Sequence, residues 1–297
     1  DILRLYKFHQ EISSDITIVT HTSTHPFDSD LLSAPNGSLI KDIYPKNFKR
    51  DKCLSGYLGN TGIACINKNI LNSLGAPESI KNSSIFNHIV VKALSKKIRI
   101  FSYNTSEYIK DMGTPERFNK VNKDIKSGLV NIKNFKNKQK ALFLDRDNTL
   151  IKCQKNQYIL SVKDVEIIKE NILKISEIAR NFNLNIIATN QPQISMGKLS
   201  FEQLDEINSY IIKYCIKLNL LIDDVIFCPH HPHGGYLGEI ETLKVNCFCR
   251  KPNPGMFFDM AQKKNINLNN SLFIGDSDDD EKAAERAKIP FLNVKDL

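Results

Sequence analysis

The sequence lacks any apolar run approaching the roughly 18 residues that a membrane-spanning helix needs, and no signal-peptide pattern is visible. Its seven cysteines lack the pairing pattern of a disulfide framework. Its lysines are scattered and not interleaved with aromatic residues, so the net charge of +8 does not indicate nucleic-acid binding. We therefore expect a cytoplasmic protein that binds neither membranes nor nucleic acid.

The length indicates two domains. At 297 residues the chain exceeds the size at which one core usually keeps growing, and a hydrophobic content of 41% suffices for two cores. Residues 131–139 are polar and lysine-rich with little periodicity, which is typical of a solvated linker. The sequence predicts domains at 1–130 and 140–297.

Metal-ligand residues occur as two short pairs in the second half. Cys228 and His230 form one pair, and Cys247 and Cys249 form the other. Three thiolates and one imidazole are ligands that tetrahedral Zn²⁺ prefers. The spacing predicts a closed structural zinc site clamping an extended loop, although His231 and His233 could compete with His230. Unrelated buried cysteines are the alternative.

Two carboxylates follow an apolar run at residues 141–144. Asp145 and Asp147 would lie at the edge of a sheet, where one can attack phosphorus and the other can transfer protons. Two anions facing a phosphate require a divalent cation with oxygen ligands, and Mg²⁺ fits best. The alternative is a strand followed by an Asx-rich turn.

Further strand ends carry compatible chemistry. Thr189 and Asn190 can hydrogen-bond phosphate oxygens, and Lys251 can balance the charge of a phosphoryl group. The acidic residues at the next strand end are Asp276, Asp278, Asp279 and Asp280. We expect Asp276 to bind Mg²⁺ and Asp280 to support it one turn later, whereas the two between them suit a solvated helix N-terminus.

The intervening segments alternate between strand and helix. Apolar residues recur at spacings of three and four after residue 168, and Ser200 with Gln203 forms a capping box before a second such stripe. This order predicts an α/β fold with a doubly wound parallel sheet and a site at the carboxyl ends of its strands.

The blocks LFLDRDNT, ATNQ, CFCRKP and IGDSDDD resemble the haloacid dehalogenase superfamily of phosphatases across residues 140–297, which implies a Rossmannoid domain. The zinc loop looks like that of the branch containing heptose 1,7-bisphosphate phosphatases and histidinol-phosphate phosphatases. The resemblance implies the following roles: Asp145 as nucleophile and Mg²⁺ ligand, Asp147 as general acid/base and Mg²⁺ ligand, Thr189 and Asn190 as phosphate binders, Arg250 as substrate contact, Lys251 as charge-stabilising cation, and Asp276 as Mg²⁺ ligand.

Two positions depart from the family pattern. Asn148 takes a place commonly held by glycine, and Met196 stands where an arginine is often found. The second departure concerns the substrate contacts of that loop and leaves the chemistry untouched.

The first 130 residues resemble the second half of sugar-phosphate nucleotidyltransferases, in particular guanylyltransferases acting on mannose or heptose 1-phosphate. The resemblance rests on the runs DITIVTH, GYLGNTGIACINK and YIKDMGTPERF, with strands expected at 16–19 and 97–101 and a glycine-rich turn entering a strand at 56–64. It implies that Asp111 is a metal ligand of the transferase, and Lys46 a sugar-phosphate contact. Ordinary turn and cap chemistry is the alternative.

Such transferases hold the triphosphate with an N-terminal glycine-rich loop, and the sequence contains nothing like it. The chain also begins at Asp1 rather than methionine. We therefore expect either a fragment of a longer bifunctional chain or a diverged transferase half.

The long zinc loop and the partner domain favour removal of the 7-phosphate from D-glycero-D-manno-heptose 1,7-bisphosphate. The product of this reaction, heptose 1-phosphate, is the substrate that a fused guanylyltransferase would activate for surface polysaccharide synthesis. One chain would then catalyse two consecutive steps. The alternatives are a histidinol-phosphate phosphatase, a transferase with an accessory phosphatase half, and a non-catalytic zinc-stabilised module. The oligomeric state is left open.

Overall fold

The computed structural model describes residues 1–23, 29–35, 38–45, 57–74, 85–154 and 157–297, with side chains 85–88 excepted. The chain divides into two compact units, Asp1–Thr105 and Ser106–Leu297. Lys46 and Cys53 lie outside the described residues.

Unit 1 contains a five-stranded sheet with helices. Its helices are α1 (Ile2–Glu11), α2 (Lys68–Leu74) and α3 (Ile85–Ser95). Its strands are β1 (Ile16–Thr22), β2 (Leu31–Ser33), β3 (Asp42–Tyr44), β4 (Leu58–Ile66) and β5 (Ile100–Asn104). The order is β3-β2-β4-β1-β5, in which β5 is parallel to β1 and β4 is antiparallel to it.

The core of unit 1 includes Ile16 and Ile18 of β1 and Ile100 of the neighbouring strand β5, all of them buried. Two expectations are adjusted here. The strand expected at 97–101 begins at Ile100, because Lys97 has a φ of 58° that ends the preceding helix segment. The described part of the expected glycine-rich turn belongs to β4, which pairs with β1 across a register shift.

Unit 2 is an α/β domain. Its helices are α4 (Pro115–Lys126), α5 (Leu129–Ile132), α6 (Lys169–Ala179), α7 (Phe201–Lys217), α8 (Gly255–Lys264) and α9 (Asp278–Ala287). Its strands are β6 (Ala141–Leu144), β7 (Ile151–Lys152), β8 (Glu166–Ile167), β9 (Leu184–Asn190), β10 (Asp224–Cys228), β11 (Leu272–Gly275) and β12 (Phe291–Asn293).

The main sheet of unit 2 has the order β10-β9-β6-β11-β12, and every pairing in it is parallel. The prediction of an α/β fold with a parallel sheet is confirmed. All four residues of β6 are fully buried, as expected of a central parallel strand covered on both faces. The carboxyl ends of β6, β9 and β11 therefore meet at one edge of the sheet.

The helices follow from their sequences. In α6, Ile172, Ile175 and Ala179 form the buried stripe that packs on the sheet. Helix α7 begins with the predicted capping box, because Ser200 and Gln203 exchange side-chain and backbone hydrogen bonds.

Residues 106–139 belong to unit 2, so the division observed lies earlier than the one predicted. Helix α4 starts at Thr114 and Pro115 as expected, with the threonine hydroxyl accepting from the Arg117 amide. The segment 131–139 differs from a solvated linker: Phe135 is buried in the core of unit 2, and the Gln139 amide donates to three backbone carbonyls. Packing of Phe135 and the backbone hydrogen bonds of Gln139 with Asn265 and Asn267 fix the segment to the domain.

Among the residues described, no helix is both long enough and apolar enough to cross a membrane.

Candidate active site

The carboxyl edge of the main sheet brings four of the predicted residues together. Asp145 directly follows β6, Asp276 directly follows β11, and Thr189 and Asn190 end β9. The adjacent parallel strands place these ends side by side. Lys251 reaches the same place from the loop between β10 and α8.

Lys251 lies between two carboxylates. Its Nζ is 2.6 Å from Asp145 Oδ1 and 2.6 Å from Asp280 Oδ1, and it also donates to the Ala188 carbonyl at 2.9 Å. All three charged side chains are almost completely buried. A buried charge of this kind is stable only when paired and hydrogen-bonded.

Burial and charge set the protonation of the pair. Burial, helped by the negative charges of Asp280 and Asp147, raises the pKa of Asp145 to about 7 against the attraction of Lys251. Burial works against the charge on Lys251, but Asp145 and Asp280 raise its pKa overall. The lysine is therefore the fixed cation of the site, and the aspartate is held close to its titration point.

Carboxylate oxygens of Asp145, Asp276 and Asp280 lie within 4.8 Å of one another, so these residues could hold a metal ion. Burial raises the pKa of Asp276, as does the charge of Asp280. Three hard oxygen donors in one place suit Mg²⁺. Asp147, which was also predicted as a ligand, does not belong to this group.

The position of Asp280 depends on the start of α9. Its Oδ2 accepts from the amide and hydroxyl of Ser277 in a capping box, which leaves Oδ1 for Lys251. A β-carbon on Gly275 would lie 2.8 Å from atoms of Asp280, so only glycine leaves room for this carboxylate. Asp278 and Asp279 are exposed in the first turn.

Asp147 is held by a residue for which the sequence analysis assigned no role. The guanidinium of Arg146, completely buried, donates to Asp147 Oδ1 at 3.1 Å and Oδ2 at 3.2 Å, and to Asn208 Oδ1 at 3.2 Å. The Gln191 amide also donates to Asp147 Oδ2 at 3.1 Å. An arginine between two aspartates gives no sequence signal of burial.

The two predicted phosphate binders have different surroundings. Thr189 is buried, and its hydroxyl oxygen accepts from Gln191 Nε2 at 2.9 Å. The Asn190 side chain donates to the Lys251 carbonyl and accepts from the Lys251 amide, both at 3.0 Å. Asn190 thus fixes the backbone of Lys251.

The predicted zinc ligands lie together. Ligand atoms of Cys228, His230, Cys247 and Cys249 all lie within 4.8 Å of one another, with sulfur–sulfur distances of 3.3–3.4 Å. His230 Nδ1 is 3.2 Å from Cys249 Sγ. Hydrogen bonding with Cys228 lowers the pKa of Cys249 to about 5 against the effect of burial. Such a set fits a tetrahedral soft metal.

The loop after β9 packs against the zinc loop. The Ser195 amide donates to the Pro229 carbonyl, and Ile240 donates to the Ser195 carbonyl. Gly197 has a φ of +68°, and a β-carbon on it would overlap the carbonyl group of Gly238. This contact allows only glycine at position 197.

Side chains at the two departures from the family pattern are accommodated differently. Asn148 has a φ of 58°, a left-handed conformation that asparagine tolerates better than most residues. Met196 is buried, whereas the exposed Lys198 has its Nζ 4.8 Å from the ring centre of Tyr158.

Arg250, the predicted substrate contact, is half-buried, and its guanidinium donates to the His230 carbonyl at 3.3 Å.

Asp111 lies apart from these groups in the chain, on the surface of unit 2 and 67% exposed. It pairs with Arg117 and caps the turn at Gly113. It is in neither group of described residues that could hold a metal.

Comparisons with known proteins find one matching family model and several similar phosphatases. Residues 248–296 match the HAD-hydrolase-like family. The chain is 33% identical over 154 residues to D-glycero-alpha-D-manno-heptose-1,7-bisphosphate 7-phosphatase of Photorhabdus laumondii, covering 52% of this chain and 81% of that protein. D-glycero-beta-D-manno-heptose-1,7-bisphosphate 7-phosphatase of Escherichia coli O6:H1 is 30% identical over 149 residues, covering 50% of this chain and 75% of that protein. The solved D,D-heptose 1,7-bisphosphate phosphatase of B. bronchiseptica, complexed with magnesium and phosphate, superposes with a TM-score of 0.44 at 25% identity, covering 51% of this chain and 78% of that one.

Proposed function

The chain belongs to the HAD-like phosphatases and is a phosphoric monoester hydrolase; from this premise we propose that it removes the 7-phosphate of D-glycero-D-manno-heptose 1,7-bisphosphate through an aspartyl-phosphate intermediate. The observation that carries the mechanism is the buried Asp145 held by Lys251 at 2.6 Å at the sheet edge. The proposed substrate class is supported by similarity to proteins named for this activity.

In this proposal Asp145 attacks the phosphorus of the monoester. Lys251 balances the negative charge that develops on the phosphoryl oxygens. The Thr189 hydroxyl donates a hydrogen bond to one of these oxygens. Asp147 protonates the leaving oxygen and later takes a proton from water. Asn190 acts through Lys251, since both polar groups of its amide bind that residue's backbone.

The carboxylates of Asp145, Asp276 and Asp280 are the residues that would hold Mg²⁺, because their oxygens lie within 4.8 Å of one another. When bound, the ion neutralises the charge of these groups and of the phosphate, which would otherwise repel each other. A role of Asp147 as a further ligand stays a prediction.

We assign the cluster of Cys228, His230, Cys247 and Cys249 to structural Zn²⁺. Three sulfurs and one imidazole nitrogen support this assignment, and the second pair directly precedes Arg250 and Lys251. The ion would fix the loop that carries Arg250 and Lys251. Arg250 would then contact a part of the substrate away from the reacting phosphate.

Residues 1–130 are proposed to derive from a sugar 1-phosphate guanylyltransferase, with Asp111, which lies in unit 2, as a vestigial metal ligand. A fused chain would perform consecutive steps towards nucleotide-activated heptose for surface polysaccharide, in the cytoplasm. Histidinol phosphate is the second candidate substrate, supported only by the shared zinc-loop pattern.

A phosphate-release screen tests the substrate. The full 297-residue chain, with Mg²⁺, is given heptose 1,7-bisphosphate, histidinol phosphate and glucose 6-phosphate at equal concentrations. We expect the highest kcat/KM with the bisphosphate and loss of the 7-phosphate only. Faster turnover of histidinol phosphate would replace the proposed substrate and leave the phosphatase mechanism intact.

A further inference from the structure

The most unusual charged group in unit 2 is the guanidinium of Arg146, which is completely buried and placed behind the half-buried Asp147. Arginine is almost never fully buried unless paired, because removing its charge from water is costly. Its partners are Asp147 on one side and Asn208 of α7 on the other. The site thus contains a charged pair that connects a catalytic carboxylate to the helix layer.

We propose that Arg146 is a positioning residue, oriented by Asn208, that holds Asp147 as the proton acceptor for the water that hydrolyses the aspartyl phosphate. This inference rests on the proposed function. It assigns Arg146 chiefly to the second chemical step.

Hydrogen-bond directions support the assignment. Both oxygens of Asp147 accept from Arg146, and Oδ2 also accepts from Gln191. Three hydrogen bonds from two side chains fix the position of both carboxylate oxygens. Gln191 also donates to Thr189, so the orientation of Asp147 is coupled to the expected phosphate site.

The oxygen of water forms a bond to phosphorus while the bond between phosphorus and the Asp145 oxygen breaks, and its electron pair returns to the Asp145 carboxylate. One proton of the water passes to Asp147. In the preceding step the leaving oxygen needs a proton from Asp147, unless the leaving group is stable as an anion.

p-Nitrophenyl phosphate separates the two steps, since nitrophenolate departs without protonation. The experiment measures its first-turnover release by stopped flow and its steady-state release with Mg²⁺ present. The variants are Asn208→Leu, Asn208→Asp, which keeps an acceptor, and Arg146→Lys, which keeps the charge. Ser209→Ala is the matched control, because Ser209 is a buried neighbour on α7 whose hydroxyl has no hydrogen-bond partner within the described residues.

We expect Asn208→Leu and Arg146→Lys to keep the native first-turnover rate but to lower steady-state turnover by about 10- to 100-fold, as misplacement of a catalytic group does. A burst of one nitrophenolate per chain would then precede slow turnover. Asn208→Asp should recover most of the rate, and Ser209→Ala should match the native chain.

An equal fall of both rates, or unchanged turnover in Asn208→Leu, would overturn the proposal. So would an Asn208→Asp variant as slow as Asn208→Leu, because the acceptor would then not matter. If Arg146→Lys fails to fold, the two Asn208 variants still decide the question. Failure of the proposed phosphatase function itself would be distinct, since the native chain would then release no nitrophenolate.

Discussion

Substitution of Lys251 by methionine tests whether the site depends on a buried cation between carboxylates. The substitution removes the positive charge that is 2.6 Å from both Asp145 and Asp280 while keeping most of the apolar stem. Breaking a buried ion pair by removing one partner costs about 3–5 kcal/mol of unfolding free energy. We expect this loss at pH 8 with EDTA present, and a fall in phosphate release of about 100- to 1,000-fold.

The cost should depend on pH. Burial already raises the pKa of Asp145 to about 7, and loss of Lys251 raises it further. A carboxyl whose folded-state pKa lies above its unfolded value of about 3.9 favours folding least when the pH is above both values. The destabilisation should therefore be largest at pH 8 and smaller at pH 5, where Asp145 takes up a proton.

Urea unfolding followed by circular dichroism measures the loss, at both pH values and in EDTA. Lys264→Met is the matched control, because Lys264 is also a buried lysine, 2.8 Å from Asp224 and outside the candidate active site. It should lower stability without a comparable loss of phosphate release. An equal loss for Lys251→Met at pH 5 and pH 8, or a loss below about 1 kcal/mol at pH 8, would refute the reasoning.

Three further outcomes are expected. Asp145→Asn should abolish turnover, because an amide cannot form the acyl phosphate, whereas Asp147→Asn should lose about 10²- to 10⁴-fold in steady-state turnover and keep only the first-turnover release of good leaving groups; substantial activity in Asp145→Asn would exclude the covalent route. Metal analysis should find about one tightly held zinc per chain, and Cys249→Ser should reduce activity while the helical signal remains; unchanged turnover would exclude a positioning role for the ion. Finally, this chain should release no pyrophosphate from any of the four common nucleoside triphosphates with a sugar 1-phosphate, since Asp111 alone cannot align the reactants, and detection of such release would contradict the diverged or partial transferase assignment.

The parallel sheet could be predicted because its information is local and periodic. The apolar run at 141–144, the helix stripes and the capping box at Ser200 each lie within a short window. The order of residues along the chain then specifies which strand ends meet. This reasoning accounts for the meeting of Asp145 and Asp276 at one edge, whereas Lys251 reaches that edge from the loop between β10 and α8.

Other parts of the site depend on burial, which a single residue does not reveal in sequence. Arg146 is fully buried between its neighbour Asp147 and Asn208, and Asn208 is distant in the chain. Asn190 was expected to bind phosphate, but the structure pairs its amide with the backbone of Lys251. The placement of Phe135 in the core follows from packing, since one aromatic residue in a lysine-rich segment forms no periodic pattern.

The close approach of Gly197 to Gly238 limits how this protein can be redesigned. The carbonyl group of Gly238 occupies the space that a side chain at position 197 would need. Transplanting either loop alone from a relative would create a collision or a gap. We therefore expect the loop after β9 and the zinc loop to be exchangeable only as a pair. Chimeras intended to alter substrate preference should therefore carry both loops from the same relative.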